Sequence, residues 1–276
     1  MSRIKEIAVT GGKGGTGKST ATILLAKKFF QAGKKVLVVD ADVECPNDYL
    51  LLNQSLSTVV EKAYAQFPTL DKEKCRQCGL CAEACPNNAI FQAPGEYPVF
   101  NYDLCDGCGT CWNVCPYGAI IPKKKEIGKI YKNDIKEGFS LITGAAKPIL
   151  EETSPVVQKA RKVARAYAQE KGFDLILIDT APGTHCSVIR ALMNTDLVYA
   201  VTEPTPMGAY DLDLILDLVK KLDLKAEVVL NKAGVGKREK IEKVVRDYKL
   251  KITEEIPYSK KLAELYSRNK LSEFKY

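Results

Sequence analysis

A chain of 276 residues, 46% apolar and 27% charged, can bury a full core, which fits one large α/β unit with a small insertion. No run of 18 apolar residues occurs, and the opening MSRIKEIAVT reads as the approach to a strand, so neither a membrane-spanning helix nor an export signal is expected. The formal charge of +7 sits in short clusters such as Lys123-Lys124-Lys125, read as solvated surface and too sparse for a nucleic-acid footprint.

Ile4–Thr10 is the first expected strand. It runs into Gly11-Gly12-Lys13-Gly14-Gly15-Thr16-Gly17-Lys18-Ser19-Thr20, a phosphate-binding loop. Its glycines let backbone N–H groups approach phosphates, Lys18 neutralises β/γ charge, and the Ser19 hydroxyl faces Mg²⁺. Nucleotide contacts are expected from Gly12 through Thr20, and the helix over Ser19–Ala32 adds its positive end. Val36–Asp40 is a second strand, ending in Asp40-Ala-Asp42-Val-Glu-Cys-Pro-Asn47. Two carboxylates off one strand end can divide labour, one in the Mg²⁺ shell and the other on the attacking water.

Between about Lys62 and Lys123 this periodicity gives way to Cys, Pro, Gly and Asn. Eight of the ten cysteines form two equal runs, Cys75-x2-Cys78-x2-Cys81-x3-Cys85-Pro86 and Cys105-x2-Cys108-x2-Cys111-x3-Cys115-Pro116. In the bacterial ferredoxin spacing three thiolates hold one cluster and the fourth, before Pro, ligates the other. Two [4Fe–4S] clusters are therefore expected, one on Cys75, Cys78, Cys81 and Cys115, the other on Cys105, Cys108, Cys111 and Cys85. Zinc sites usually set two ligand pairs far apart, unlike these runs. The repeat continues past the ligands, Cys85-Pro-Asn-Asn-Ala-Ile90 against Cys115-Pro-Tyr-Gly-Ala-Ile120, so the insertion is a duplicated half-module. With few apolar residues of its own, it should depend on metal–thiolate bonds to fold. Residues 71–122 carry six acidic and three basic side chains, which favours basic docking partners. Thiols spaced as ligands also point to a reducing compartment, the cytoplasm.

After the insertion, strands are expected at Leu175–Asp179, Leu197–Val201, Val228–Asn231 and Ile252–Ile256. Helices are expected near Met207–Leu222 and Arg238–Tyr248 and from about Ser259. All-apolar strands mean a mostly parallel sheet covered on both faces. Residues 1–61 and 124–276 thus make a discontinuous P-loop domain, with 62–123 as an inserted small α+β ferredoxin-like domain. Asn231-Lys232-Ala233-Gly234 resembles a base-reading element, and Gly234 in place of Asp speaks against guanine. Pro204 and Tyr258 have two readings, flanking the base or packing.

The second lysine of the loop, Lys13, makes the chain resemble the deviant Walker ATPases: the MinD and ParA group, the Mrp-type scaffold proteins and the nitrogenase iron protein. The match covers the chain outside the insertion, and MinD-superfamily ATPases with an inserted ferredoxin domain resemble it throughout. The resemblance implies ATP, Mg²⁺ and an ATP-dependent homodimer in which Lys13 reaches the partner's nucleotide. It implies switch I at Asp40–Asn47, with Asp40 in the Mg²⁺ shell and Asp42 positioning the water. It implies switch II at Asp179-Thr-Ala-Pro-Gly183, with Asp179 reaching Mg²⁺ through water. In the iron protein a cysteine at the spacing of Cys186 binds a cluster shared across the dimer, but the second cysteine it needs is missing from 139–155. Cys186 is therefore read as a small buried thiol or as a transient cluster or redox site, and Cys45 as structural. The lone His185 beside Cys186 is read as neither ligand nor switch.

Three functions fit these residues. The first is an ATPase whose nucleotide-driven dimer gates electron transfer through the clusters to an unidentified redox or client protein. The second is a cluster or metallocentre maturation ATPase. The third is a MinD-like positioning ATPase, and the tail Ser259–Tyr276 reads as a helix packed on the sheet rather than an anchor. Complete cysteine sets hold clusters tightly, and no cysteine follows Cys186, which favours the first.

Overall fold

The computed structural model describes residues 3–148 and 150–274. Strand β1 (Lys5–Thr10) leads through the glycine loop into α1 (Lys18–Gln31) and back to β2 (Val36–Ala41). A short α2 (Asp48–Leu51) precedes β3 (Val59–Leu70). The cysteine segment contains α3 (Leu80–Glu83), β4 (Ile90–Phe91), β5 (Val99–Phe100) and α4 (Thr110–Asn113). The chain returns through β6 (Ile120–Lys136), β7 (Phe139–Ala146), α5 (Ser154–Lys171), β8 (Leu175–Thr180) and α6 (Cys186–Leu192). It ends with β9 (Leu197–Thr202), α7 (Pro206–Lys221), β10 (Ala226–Ala233), α8 (Glu239–Asp247), β11 (Ile252–Pro257) and α9 (Lys260–Ser267).

The nine-stranded sheet has the order β11-β10-β9-β1-β8-β2-β7-β6-β3, and neighbours from β11 to β7 run parallel. Strands β2, β8 and β9 are buried along their whole length, as parallel strands between two helical layers must be. On one face α1 packs Ile23, Leu24 and Leu25 against Val38, Leu177 and Val201. On the other, α5 to α8 bring Val156, Val188, Leu212 and Ile241 onto Leu37, Ile178 and Val228. Leu262 of α9 joins the first face, so the C-terminal helix packs on the sheet. Lys275 and Tyr276, the end of the expected tail, lie outside the described residues.

The far edge differs from the sequence reading. Strand β7 pairs parallel with β2, and β6 and β3 extend the sheet as a long antiparallel ribbon. Residues 62 and 123, taken as the limits of the insertion, fall inside these strands. The ribbon escapes a periodicity search because residues 59–62 of one strand and 121–124 of the other are exposed at successive positions, Lys123, Lys124 and Lys125 follow one another, and register shifts interrupt the ladder. Helix α5, also absent from the expectation, covers this edge through Val156, Ala160 and Ala164.

Candidate functional site

The glycine loop leaves β1 at the C-terminal ends of the parallel strands, where α/β sheets bind ligands. Gly17, with φ of 90°, turns the chain into α1, and a Cβ there would run into the Asn231 amide. Asn231, at the end of β10, donates from Nδ2 to Thr16 O at 2.8 Å, and Lys232 donates to Gly15 O at 3.1 Å. Asn231 thus braces the loop while lining the same cleft. Lys18 donates from Nζ to Lys13 O at 3.1 Å. Burial pulls its ammonium below the ordinary range, against the opposing pull of Asp179 and Asp42. Lys13 lies 3.4 Å from Glu203 and 3.9 Å from Asp211, carboxylates of its own chain. Lys232 shares Glu203 at 2.8 Å, and despite partial burial the two ammonium groups hold Glu203 below its usual range.

From this loop a cleft of about 410 Å³ opens toward Tyr258, Leu262 and Tyr266. Tyr258 therefore lines the cleft beside the loop, whereas Pro204 is buried with its carbonyl under the turn at Gly236. The aromatic and apolar wall from α9 was not foreseen, because nothing local marks Leu262 or Tyr266 as facing the loop.

Behind the loop lies an acidic pocket. Asp40 and Asp179 are direct partners in the β2–β8 register. Backbone N–H groups of Asn47 and Asp48 donate to Asp40 Oδ2 at 2.9 and 3.0 Å. The Thr22 hydroxyl donates to Asp179 at 3.0 Å. A third carboxylate, Asp48 at the start of α2, is fully buried, and an oxygen from each of the three lies within 4.8 Å of the others. Burial pushes Asp40 and Asp48 well above the carboxylate range, with Asp179 adding to both. Asp179 is pushed up to about 6 by burial, against the Ser19 hydroxyl and Lys18. Asp42 is less buried, lines the cleft, and is raised chiefly by burial. Ser19, Asp40 and Asp179 are thus brought together beside the loop, with Asp42 at its mouth, a donor set of hard oxygens that suits Mg²⁺. Asp48 carried no sequence signal, being one more acidic residue after a turn.

The cysteine segment sits at the outer end of the ribbon. Cys75, Cys78, Cys81 and Cys115 line one small enclosure, and Cys85, Cys105, Cys108 and Cys111 line a second. The last thiol of each run thus joins the first three of the other. Ala89 and Ala119 donate backbone N–H groups to Cys85 and Cys115 Sγ, both at 3.3 Å. Gly79 and Gly109, with φ of 83° and 88°, start the matching helices α3 and α4. The apolar core of this unit is Cys81, Ile90, Cys111 and Ile120, so half of it is thiol. Burial pushes Cys81 and Cys105 upward and Cys111 up to about 12. A metal taking these sulfurs as thiolates displaces their protons. The second enclosure is nearer the body: Cys105 packs against the main core, and Tyr102 donates to Pro68 O at 3.1 Å. Lys125 stacks over Tyr102 at 3.4 Å from the ring centre.

Cys186 begins α6 and is exposed, as is Cys45. The reading of Cys186 as a buried thiol is corrected by its place: it is exposed at the head of α6, and burial begins only at the following Ser187 and Val188. His185 beside it is exposed too.

Residues 7–272 match the family CobQ/CobB/MinD/ParA nucleotide binding domain. Across 268 residues, 97% of this chain and 91% of the other, the chain is 35% identical to the uncharacterised protein MJ0579 of Methanocaldococcus jannaschii. It is 40% identical over 74 residues, 26% of each chain, to an iron–sulfur cluster carrier protein of the same organism. The fold is similar to that of the septum site-determining protein MinD of Pyrococcus horikoshii complexed with Mg-ADP, with TM-score 0.57 at 19% identity, covering 97% of this chain and 86% of that one. Among the described residues no helix is long and apolar enough to cross a membrane.

Proposed function

The chain belongs to the CobQ/CobB/MinD/ParA nucleotide-binding family, and from that membership we propose that it is a Mg²⁺-dependent ATPase whose nucleotide-driven homodimer gates electron transfer through two [4Fe–4S] clusters. The observation that carries this reading is the crosswise gathering of eight cysteines into two sets of four, on a ribbon continuous with the P-loop sheet. Thiolate sets of four suit [4Fe–4S] clusters, which supply one-electron chemistry when bound.

On the nucleotide side, backbone N–H groups of Gly12 through Thr20 cradle phosphates, with Lys18 neutralising their charge. Ser19, Asp40 and Asp179 would hold the Mg²⁺, which would offset phosphate charge. Asp42 orients a water for attack on the γ-phosphorus, and the bond to the ADP oxygen breaks to release phosphate. Tyr258 and the α9 wall receive the adenine. Lys13 leaves Glu203 and Asp211 to reach the partner's phosphates in the dimer. In the isolated chain these two largely buried carboxylates hold the partly exposed Lys13, and the partner's phosphates would take their place.

The coupling route is covalent and short. Strand β2 ends at Asp40 and Asp42, α2 follows, and β3 then carries the chain to the cysteines. Rearrangement of 40–48 on ATP binding therefore pulls on the ribbon that bears the clusters.

The second reading, a cluster maturation ATPase, draws on the local match to a carrier protein and on the exposure of Cys45 and Cys186 in the switch segments. One experiment separates the two. The anaerobically reconstituted protein is compared without nucleotide, with ADP, and as the ATP-trapped Asp42→Ala form, by midpoint potential and EPR line shape. Gating requires that the ATP form differ from the others with about eight iron atoms retained. Identical values in all three states, or iron lost to an acceptor on ATP addition, would put maturation ahead.

A further inference from the structure

We propose that Asp48, together with Asp40 and Asp179, forms a divalent-cation site that is loaded before any nucleotide arrives. The inference rests on the reading of this pocket as the Mg²⁺ side of the nucleotide site and adds to it a third carboxylate and an order of binding.

Asp48 is fully buried, and among the described residues neither of its side-chain oxygens has a hydrogen-bond partner. That is unusual, because a buried carboxylate without donors is strongly unfavourable and native chains normally supply partners. Its neighbours are already engaged. Asp40 accepts from the backbone of residues 42, 47 and 48, and Asp179 accepts from Thr22. What Asp48 faces instead is their carboxylate oxygens, one from each residue within 4.8 Å of the others. Lys18, which is partly buried, feels Asp179 and Asp42 and donates to the loop carbonyl of Lys13. It therefore does not neutralise Asp48.

Three carboxylates turned toward one another call for a positive charge between them. The spacing fits a hard divalent ion. Such ions take carboxylate oxygens as ligands. Three carboxylate oxygens gathered within 4.8 Å of one another can share one such ion, with waters completing the shell. The placement also suits transfer. The pocket adjoins Ser19, whose hydroxyl bonds Asp179, so an ion held there meets the phosphates as they settle on the loop. Because Asp48 opens α2 on the path to the ribbon, the ion also ties the switch segment to the sheet before ATP binds.

The test uses the full chain with its clusters loaded, so that the thiolates do not capture the probe. Mn²⁺ is titrated into nucleotide-free protein with free ion followed by EPR, and Mg²⁺ serves as competitor. The expected result is about one Mn²⁺ per chain, displaced by Mg²⁺ and weakened about tenfold or more by Asp48→Asn. A nucleotide-free wild type that takes up no Mn²⁺, or an Asp48→Asn protein that matches wild type, would overturn the inference. Should Asp48→Asn fail to fold, the wild-type titration and Asp48→Ser decide. If Mn²⁺ binds nowhere without nucleotide while Mg-ATP binds normally, only this inference fails. If ATP does not bind at all, the nucleotide reading fails and the Mn²⁺ result still stands on its own.

Discussion

Alanine at Gly107 is expected to loosen the cysteine unit from the ribbon, and the internal repeat supplies its own controls. Gly107 has φ of 73°, and a Cβ added there would lie 2.7 Å from the backbone carbonyl of Gln66 on β3. Its counterpart in the first run is Gln77, which takes the same left-handed conformation at φ of 56°. That conformation is thus tolerated with a side chain, and the ribbon contact is what singles out Gly107. Left-handed strain for alanine costs roughly 1–2 kcal/mol. Displacing a strand carbonyl adds about 1–3 kcal/mol of overpacking, for a total of about 2–5 kcal/mol. Gly79→Ala isolates the strain, because Gly79 has φ of 83° and open space where its Cβ would stand. Anaerobic thermal unfolding, followed by loss of the iron–thiolate absorbance, should rank wild type above Gly79→Ala and that above Gly107→Ala. Nucleotide-dependent changes in the cluster signals should shrink in Gly107→Ala alone. Equal destabilisation by the two alanines would refute the argument that Gln66 and Gly107 form the seat of the unit.

Cys85→Ser should damage the cluster held by Cys105, Cys108 and Cys111, although it lies in the first run; EPR of a three-iron species would report it, and loss of the Cys75 cluster instead would refute the crossed pairing. Lys18→Ala should lose nucleotide affinity by tenfold or more on the scale of a lost charged hydrogen bond of about 1.5–3 kcal/mol, whereas Lys13→Ala should bind ATP yet remain monomeric in light scattering. If Lys13→Ala dimerises and hydrolyses ATP normally, its role across the dimer is wrong. Burial raises Asp179 to about 6, so the metal-free folded chain holds a proton that the unfolded chain, with an ordinary carboxylate near 3.8, has released. Stability in EDTA should therefore fall as pH climbs from about 4 to 6, and Mg²⁺, competing with the proton, should bind more tightly with rising pH; melting curves at pH 4 to 6 that move the opposite way would refute this.

The glycine loop, the two cysteine runs and the apolar strands at Val36–Asp40 and Leu175–Asp179 were legible because each is a local pattern. A P-loop needs its lysine and hydroxyl at fixed offsets, a cluster needs thiols within one turn of chain, and a doubly covered strand needs every position apolar. The crossed pairing of the runs was expected because in the bacterial ferredoxin spacing the cysteine before Pro ligates the other cluster. Other features depend on neighbours far apart in the chain. The meeting of Asp40 with Asp179 follows from the pairing of β2 with β8, and Asp48 joins them because the start of α2 is tied to Asp40 by the Asn47 and Asp48 N–H groups. Leu262 and Tyr266 face the loop because α9 returns across the first helical layer. The ribbon of β3 and β6 is held by ladder hydrogen bonds between strands that leave little apolar periodicity on either face, so its hydrophobic pattern did not announce it. Local chemistry is written in short spacings, whereas the buried acidic pocket and the seat of the cysteine unit exist only where the sheet order brings distant strand ends together.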